Sequence, residues 1–263
     1  MRSKRSAVVL SALFLLASLP SEARAQAAAT GFLDRTLMIA GETHRYQVYV
    51  PADYTRSRAW PVVLFLHGGG ERGTDGLIQT EVGIGGAIRR FSSRFPAIVV
   101  MPQARPPAGW TGANADMALK ALDQTEAEFN IDRSREYLTG LSMGGAGTWY
   151  VAYRHPNRFA ALLAICARVR PSATTTDPVV PAADGEPFAT LAARVKHLPI
   201  WVFHGDADNT VPVDESRGVV AALKALNVPV KYSELPGVGH NSWDTAYRDP
   251  EVATWLFAQK QKK

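Results

Sequence analysis

The sequence of 263 residues contains a single cysteine, Cys166, so no disulfide can form within the chain and the fold must rest on its core. Cys166 closes the apolar run Ala160 to Ile165 and reads as a small buried residue rather than a reactive thiol. Long apolar runs are also missing. The stretch Ala7 to Leu19 spans thirteen residues, short of the ~20 that cross a bilayer. A strong charge of one sign is missing too, which removes the electrostatic footprint of a nucleic-acid binder. The first 25 residues hold four of the 29 basic and one of the 24 acidic side chains, leaving 25 against 23. His, Cys, Asp and Glu show no metal-ligand spacing, and no Gly-Lys-Ser/Thr follows a glycine loop. Neither a metal nor another cofactor is expected.

The N-terminus has a layout of its own. A basic opening, Met1-Arg-Ser-Lys-Arg5, precedes the apolar run; Pro20 and then Ala23-Arg24-Ala25 follow. That is the order of a secretory signal peptide, predicting cleavage before Gln26, export to the periplasm or beyond, and no stable membrane insertion afterwards. Residues 26–263 are expected to form one catalytic domain.

Hydrophobic patterning sets the fold class. Arg45–Val50 alternates like a half-buried strand, while Trp60–Leu66 and Ala97–Met101 are continuous apolar runs suited to strands covered on both faces. Glu136–Leu141, Ala160–Ile165, Ile200–His204 and Val230–Leu235 also read as strands. Helical spacing is expected over Asn114–Phe129, Gly144–Tyr153, Asp214–Leu226 and Pro250–Gln259. Such alternation predicts an α/β fold with a mostly parallel central sheet and helices on both faces. The Thr- and Pro-rich stretch 168–196 interrupts the pattern and reads largely as loop, long enough to suggest a rim over a site.

Chemistry concentrates at three places. Gly140-Leu-Ser-Met-Gly144 matches G-x-S-x-G, preceded by a strand and followed by a small-residue helix start. A sharp strand-to-helix turn there lifts the Ser142 hydroxyl above the sheet and needs small neighbours. A serine nucleophile needs a base, and in this arrangement an acid precedes the histidine along the chain. The carboxylates of His204-Gly-Asp-Ala-Asp208 end a strand, and after them the only histidine is His240. Spacing leaves Asp206 and Asp208 undecided, although Asp206 sits in a tight turn where a carboxylate often bonds backbone. The third place is His67-Gly-Gly-Gly-Glu-Arg-Gly73, whose glycines let N–H groups approach a substrate carbonyl. Gly69, with Gly70 next, is the candidate first donor of an oxyanion hole, and Met143, directly after the serine, the second. Glu71 and Arg72 are expected to brace this loop by ion pairing. Trp110 and Trp243 are candidate exposed aromatics for substrate binding.

These stretches, with Met101-Pro-Gln103 and Gly239-His-Asn-Ser-Trp243, resemble the α/β-hydrolase esterases grouped with polyhydroxybutyrate depolymerases, feruloyl esterases and prolyl-oligopeptidase-like peptidases. The resemblance runs from about Phe32 to the C-terminus. It implies the α/β-hydrolase fold and the triad Ser142, His240 and Asp208, and so selects Asp208 as the acid. It also implies a serine carboxylic-ester hydrolase working through an acyl-enzyme, on feruloyl, acetyl or other short acyl esters, small or polysaccharide-linked. A peptidase, a polyester depolymerase and a non-catalytic binding module are the rival readings. Related chains often carry a short glycine-rich stretch where this one has Cys166-Ala-Arg-Val-Arg170.

Overall fold

The structure, a computed structural model, describes residues 29–171 and 177–261. The expected signal peptide, residues 1–25, lies outside the described residues. Eight strands form one sheet: β1 (Gly31–Ile39), β2 (Glu42–Val50), β3 (Trp60–Leu66), β4 (Ile98–Pro102), β5 (Ile131–Leu141), β6 (Ala161–Ile165), β7 (Ile200–Gly205) and β8 (Lys231–Leu235). Their spatial order is β1-β2-β4-β3-β5-β6-β7-β8. Only β2 runs against the rest: it is antiparallel to both β1 and β4, while β4, β3, β5, β6, β7 and β8 are mutually parallel. The α/β fold with a mostly parallel central sheet, expected from the alternating pattern, is therefore the observed one.

Burial explains the continuous apolar runs. Every residue of β3, β4, β6 and β7 is buried, because helices cover both faces. Successive side chains point to opposite faces. Val62, Leu64 and Leu66 of β3 accordingly join one core, while Val63 and Phe65 join the other. The first core is closed by α2 (Gly112–Glu128), α3 (Met143–Arg154), α4 (Pro187–Val195) and α5 (Asp214–Ala225). The second is closed by α1 (Ile84–Phe91), α6 (Trp243–Arg248) and α7 (Pro250–Ala258).

Two differences from the sequence reading bear on the site. The end of the stretch 168–196 is helical: Pro187 starts α4, whose buried Leu191, Ala192 and Val195 pack into the first core. Proline at the first helical position is well placed, since its missing N–H has no helical partner there. The edge strand β1 and the short helices α1 and α6 were not expected. In α1 two glycines dilute the helical pattern, yet Ile84, Ala87 and Ile88 still make one buried stripe.

Candidate active site

Ser142 lies between the last residue of β5 and the first residue of α3, with φ 53° and ψ −115°. A non-glycine residue with positive φ is strained, and surrounding contacts must hold it. Here the Ser142 N–H donates to the Ile165 carbonyl at 2.9 Å. The small neighbours are required by space. A methyl on Gly144 would sit 1.8 Å from the Leu66 carbonyl oxygen, and one on Gly140 2.2 Å from the Gly144 oxygen. The helix start is thus pressed against the end of β3, where the glycine loop begins.

His240 reaches the serine from the loop after β8. Its Nε2 is 2.8 Å from Ser142 Oγ, and its Nδ1 is 2.7 Å from Asp208 Oδ2. The other carboxylate oxygen, Oδ1, accepts the N–H groups of Thr210 and Val211 at 2.8 and 2.9 Å. Burial opposes charge on Asp208, but the bonds from His240, Val211 and Thr210 outweigh it and hold the carboxyl below its ordinary range. A charged acceptor at Oδ2 places the imidazole proton on Nδ1, which leaves Nε2 free to accept from the serine hydroxyl.

Asp206 does something else. It is exposed, and its Oδ1 accepts the Gly237 N–H at 2.7 Å, tying the turn after β7 to the turn that leads to His240. The turn-bonding role read from the tight His-Gly-Asp sequence is the observed one. His204, a candidate base set aside by chain order, is buried behind the acid. Its Nε2–H faces the Val211 carbonyl at 2.9 Å and Asp208 Oδ2 at 3.2 Å, and Nδ1 accepts from Ser216 Oγ at 2.7 Å. Burial lowers its pKa, so it supports the carboxylate as a neutral donor.

Sequence reasoning missed the part played by His67. Its ring is buried, with Nδ1 2.6 Å from the Gly68 carbonyl and Nε2 accepting the Ala104 N–H at 2.9 Å. Burial pushes its pKa down to about 4, so it stays neutral and locks the start of the glycine loop. Two further bonds hold that loop: Trp110 Nε1 to the His67 carbonyl at 2.9 Å, and Arg72 Nε to the Gly69 carbonyl at 3.0 Å. Arg72 also donates to the Pro107 carbonyl at 2.5 Å. The brace is therefore a guanidinium on carbonyls, not the expected ion pair. Glu71 instead lies 3.9 Å from His67, and no Glu71–Arg72 pair occurs among the described residues. Gly69 and Met143 each open a helix, where N–H groups have no intrahelical acceptor.

The two tryptophans part company. Trp110 is not exposed: it is 1% accessible, edge-on to His67 at 4.8 Å, though it borders a cavity of about 570 Å³ beside Met143. Gly147 makes room for it, since a methyl there would lie 2.4 Å from Trp110 Cβ. Trp243 is half-buried and stands edge-on to His240 at 5.4 Å, lining a smaller cleft of about 280 Å³. Cys166 Sγ lies within 4.8 Å of the ligand atoms of Asp208 and His240. Burial pushes its thiol up to about 12, which keeps it protonated and unsuited to bind a metal or attack a substrate.

Comparison with known proteins agrees with this geometry. The Esterase family model matches residues 39–240, most of the chain. The chain belongs to this family. It is 25% identical over 254 residues to "Probable feruloyl esterase C" of Aspergillus flavus, covering 92% of this chain and 84% of that protein. It is also 25% identical over 232 residues to an "Uncharacterized secreted protein" of Arthroderma benhamiae, covering 78% of this chain but only 24% of the relative. Among solved structures it is similar to a thermostable esterase, with 32% identity and a TM-score of 0.74 over 88% of this chain and 63% of that one. The α/β-hydrolase esterase resemblance carried by the sequence motifs is thereby borne out.

Proposed function

We propose that this protein is a secreted serine carboxylic-ester hydrolase whose residues 26–263 form one catalytic domain. The observation that carries the reading is the unbroken relay from Ser142 Oγ through His240 to Asp208, with links of 2.8 and 2.7 Å. His240 Nε2 takes the serine proton as Oγ attacks the ester carbonyl. Asp208 keeps Nδ1 protonated and stabilises the imidazolium that forms. The N–H groups of Gly69 and Met143 receive the negative charge of the tetrahedral intermediate; losing one such donor generally costs ~10²–10³ in rate. His240 then protonates the departing alcohol. In the second half, water attacks the acyl-enzyme with His240 as base, and the acid leaves.

Substrates of this reading are small or polysaccharide-linked esters, with feruloyl esters first because a relative spanning 92% of the chain carries that name. Trp110 borders the cavity beside Met143, and Trp243, edge-on to His240, forms a wall for an aromatic group. The basic and apolar layout of residues 1–25 supports export, and among the described residues no helix is long and apolar enough to cross a membrane.

The test uses the purified protein beside Ser142→Ala on p-nitrophenyl acetate, methyl ferulate and a peptide anilide. The wild type is expected to cleave both esters, with kcat lowered by on the order of 10⁶ in the variant. Hydrolysis persisting unchanged in Ser142→Ala overturns the nucleophile, and cleavage of the anilide alone overturns the ester preference.

A further inference from the structure

The cavity of about 570 Å³ beside Met143 falls in the size range of small-ligand sites. Its wall includes Arg72, Trp110, Arg168, Arg170 and Asp177. Three guanidinium groups around one apolar hollow call for an account of their partners. Arg170 is satisfied: its Nε meets Glu215 Oε1 at 2.9 Å, and its backbone N–H meets Oε2 at 3.0 Å. Glu215 is itself 1% exposed and also receives the Val169 N–H at 2.9 Å. Arg168 reaches the same carboxylate only at 3.7 Å, beyond hydrogen-bond distance. Asp177 is taken by Arg154 at 3.2 Å and by the Tyr150 hydroxyl at 2.5 Å.

Arg72 has no carboxylate within 4.0 Å among the described residues; its donors go to the Gly69 and Pro107 carbonyls. Around the cavity, then, among the described residues four arginines face two carboxylates: Arg154 pairs with Asp177, while Arg170 and, at longer range, Arg168 share Glu215. Residues 172–176, which lie outside the described residues, contribute no charged side chain to the sequence. Among the described residues this leaves two positive charges in excess on the rim of a hollow that adjoins the proposed nucleophile: Arg72 has no carboxylate partner, and Arg168 has only a long contact to a carboxylate that Arg170 already holds. Arg168 is half-buried, which shields it from full solvent screening. A planar guanidinium presents paired donors that match a carboxylate.

We infer that this cavity takes esters carrying a carboxylate group, bound by Arg168 with Arg72 adding to the positive field. The inference rests on the esterase reading and names its substrate class. Arg168 belongs to Cys166-Ala-Arg-Val-Arg170, the stretch that stands where related chains often carry glycine, so the sequence departs from the resemblance where the charge is placed.

Matched ester pairs test it. One pair places the charge on the acyl side: 4-nitrophenyl hydrogen adipate against 4-nitrophenyl hexanoate. The other places it on the alcohol side: 4-acetoxybenzoate against its methyl ester. For each pair the readout is the ratio of kcat/KM, acidic over neutral, in wild type, Arg168→Gln and Arg168→Lys. Taking the ratio cancels any general loss of fold or of catalysis in a variant. In one arm the ratio is expected to fall about tenfold in Arg168→Gln and about threefold in Arg168→Lys, the scale of one partly exposed charge-assisted bond. Raising NaCl should lower the wild-type ratio and leave that of Arg168→Gln nearly flat. The arm that responds says which half of the ester occupies the cavity. Equal ratios in wild type and Arg168→Gln in both arms, with the neutral esters turned over, overturn this inference alone. Failure of the wild type on every ester overturns the esterase reading and this inference with it.

Discussion

Two nearly inaccessible carboxylates, Asp208 in the turn after β7 and Glu136 on β5, behave in opposite ways. At its upper end β5 delivers Ser142 to His240 and Asp208; lower down it carries Glu136 beside Glu126 of α2. Asp208 and Glu136 are both nearly inaccessible, at 8% and 5%. Asp208 collects two backbone N–H groups and an imidazole N–H, and is held charged. Glu136 has Arg158 Nε at 3.3 Å, but that arginine also serves Asp123 and Glu126. Burial first, and then the neighbouring Glu126 charge, push the Glu136 carboxyl up to about 7. Similar accessibility therefore does not by itself set ionisation, and Glu136 is also the more deeply desolvated of the two. The donors aimed at the carboxylate, weighed against desolvation and neighbouring charge, decide it, and the donor-rich Asp208 is the one placed to orient a base.

The largest expected effect separates the two directly. Asp208→Asn removes the charge that fixes the His240 tautomer, and kcat is expected to fall by on the order of 10⁴ with the fold retained. Glu136→Gln removes a comparably inaccessible carboxylate outside the Ser142–His240–Asp208 relay, and its kcat is expected to stay within about threefold of wild type. Steady-state assays on p-nitrophenyl acetate, with circular dichroism as the check on folding, decide it. A comparable loss in both variants would mean that buried charge in general, rather than the donor set around Asp208, supports turnover.

Much of this contrast could be read in the sequence, and the residues show where reading stops. Apolar strands with both faces covered announce themselves, so β3 was placed to the residue and the parallel sheet followed. Chain order isolated His240, because no other histidine follows the carboxylates after β7. Asp206 and Asp208 could not be separated that way: two residues on one turn share their spacing, and only backbone geometry sends one to Gly237 and the other to His240. Trp110 was misplaced on the surface because its burial depends on the absence of a side chain at Gly147, 37 positions away. His67 was overlooked because a histidine that bonds only backbone leaves no pattern of partner side chains. Glu136 gave no signal either, since its neighbour Glu126 is brought to it by packing of α2 on the sheet.

A smaller effect concerns stability. Glu136 titrates near 4.5 when unperturbed and near 7 in the folded protein, so the folded state holds its proton more tightly. Its stabilising contribution is complete below about pH 4.5 and is lost as pH rises through about 7. Glu136→Gln keeps a neutral side chain at every pH. Urea unfolding from about pH 4.5 to 8 should therefore show the variant gaining on wild type as pH increases. Curves that run parallel would place the low-donor character of this carboxylate in doubt and erase half of the contrast.

The smallest effect lies within the upper site itself. Asp206 and Asp208 share a turn, but Asp206 is exposed and holds one backbone N–H, at Gly237, whereas Asp208 holds two backbone N–H groups and the His240 ring, with His204 behind it. Asp206→Ala should cost about 1 kcal/mol of stability, the worth of one such bond. Because that bond ties the turn after β7 to the turn leading into His240, its loss loosens the base without discharging the acid. A several-fold fall in kcat/KM is expected, against the thousands-fold fall of Asp208→Asn. The pH dependence of kcat should keep its shape, since His240 retains its charged partner. A loss in Asp206→Ala as large as that in Asp208→Asn would reverse the assignment, making the exposed carboxylate the one on which the imidazole depends.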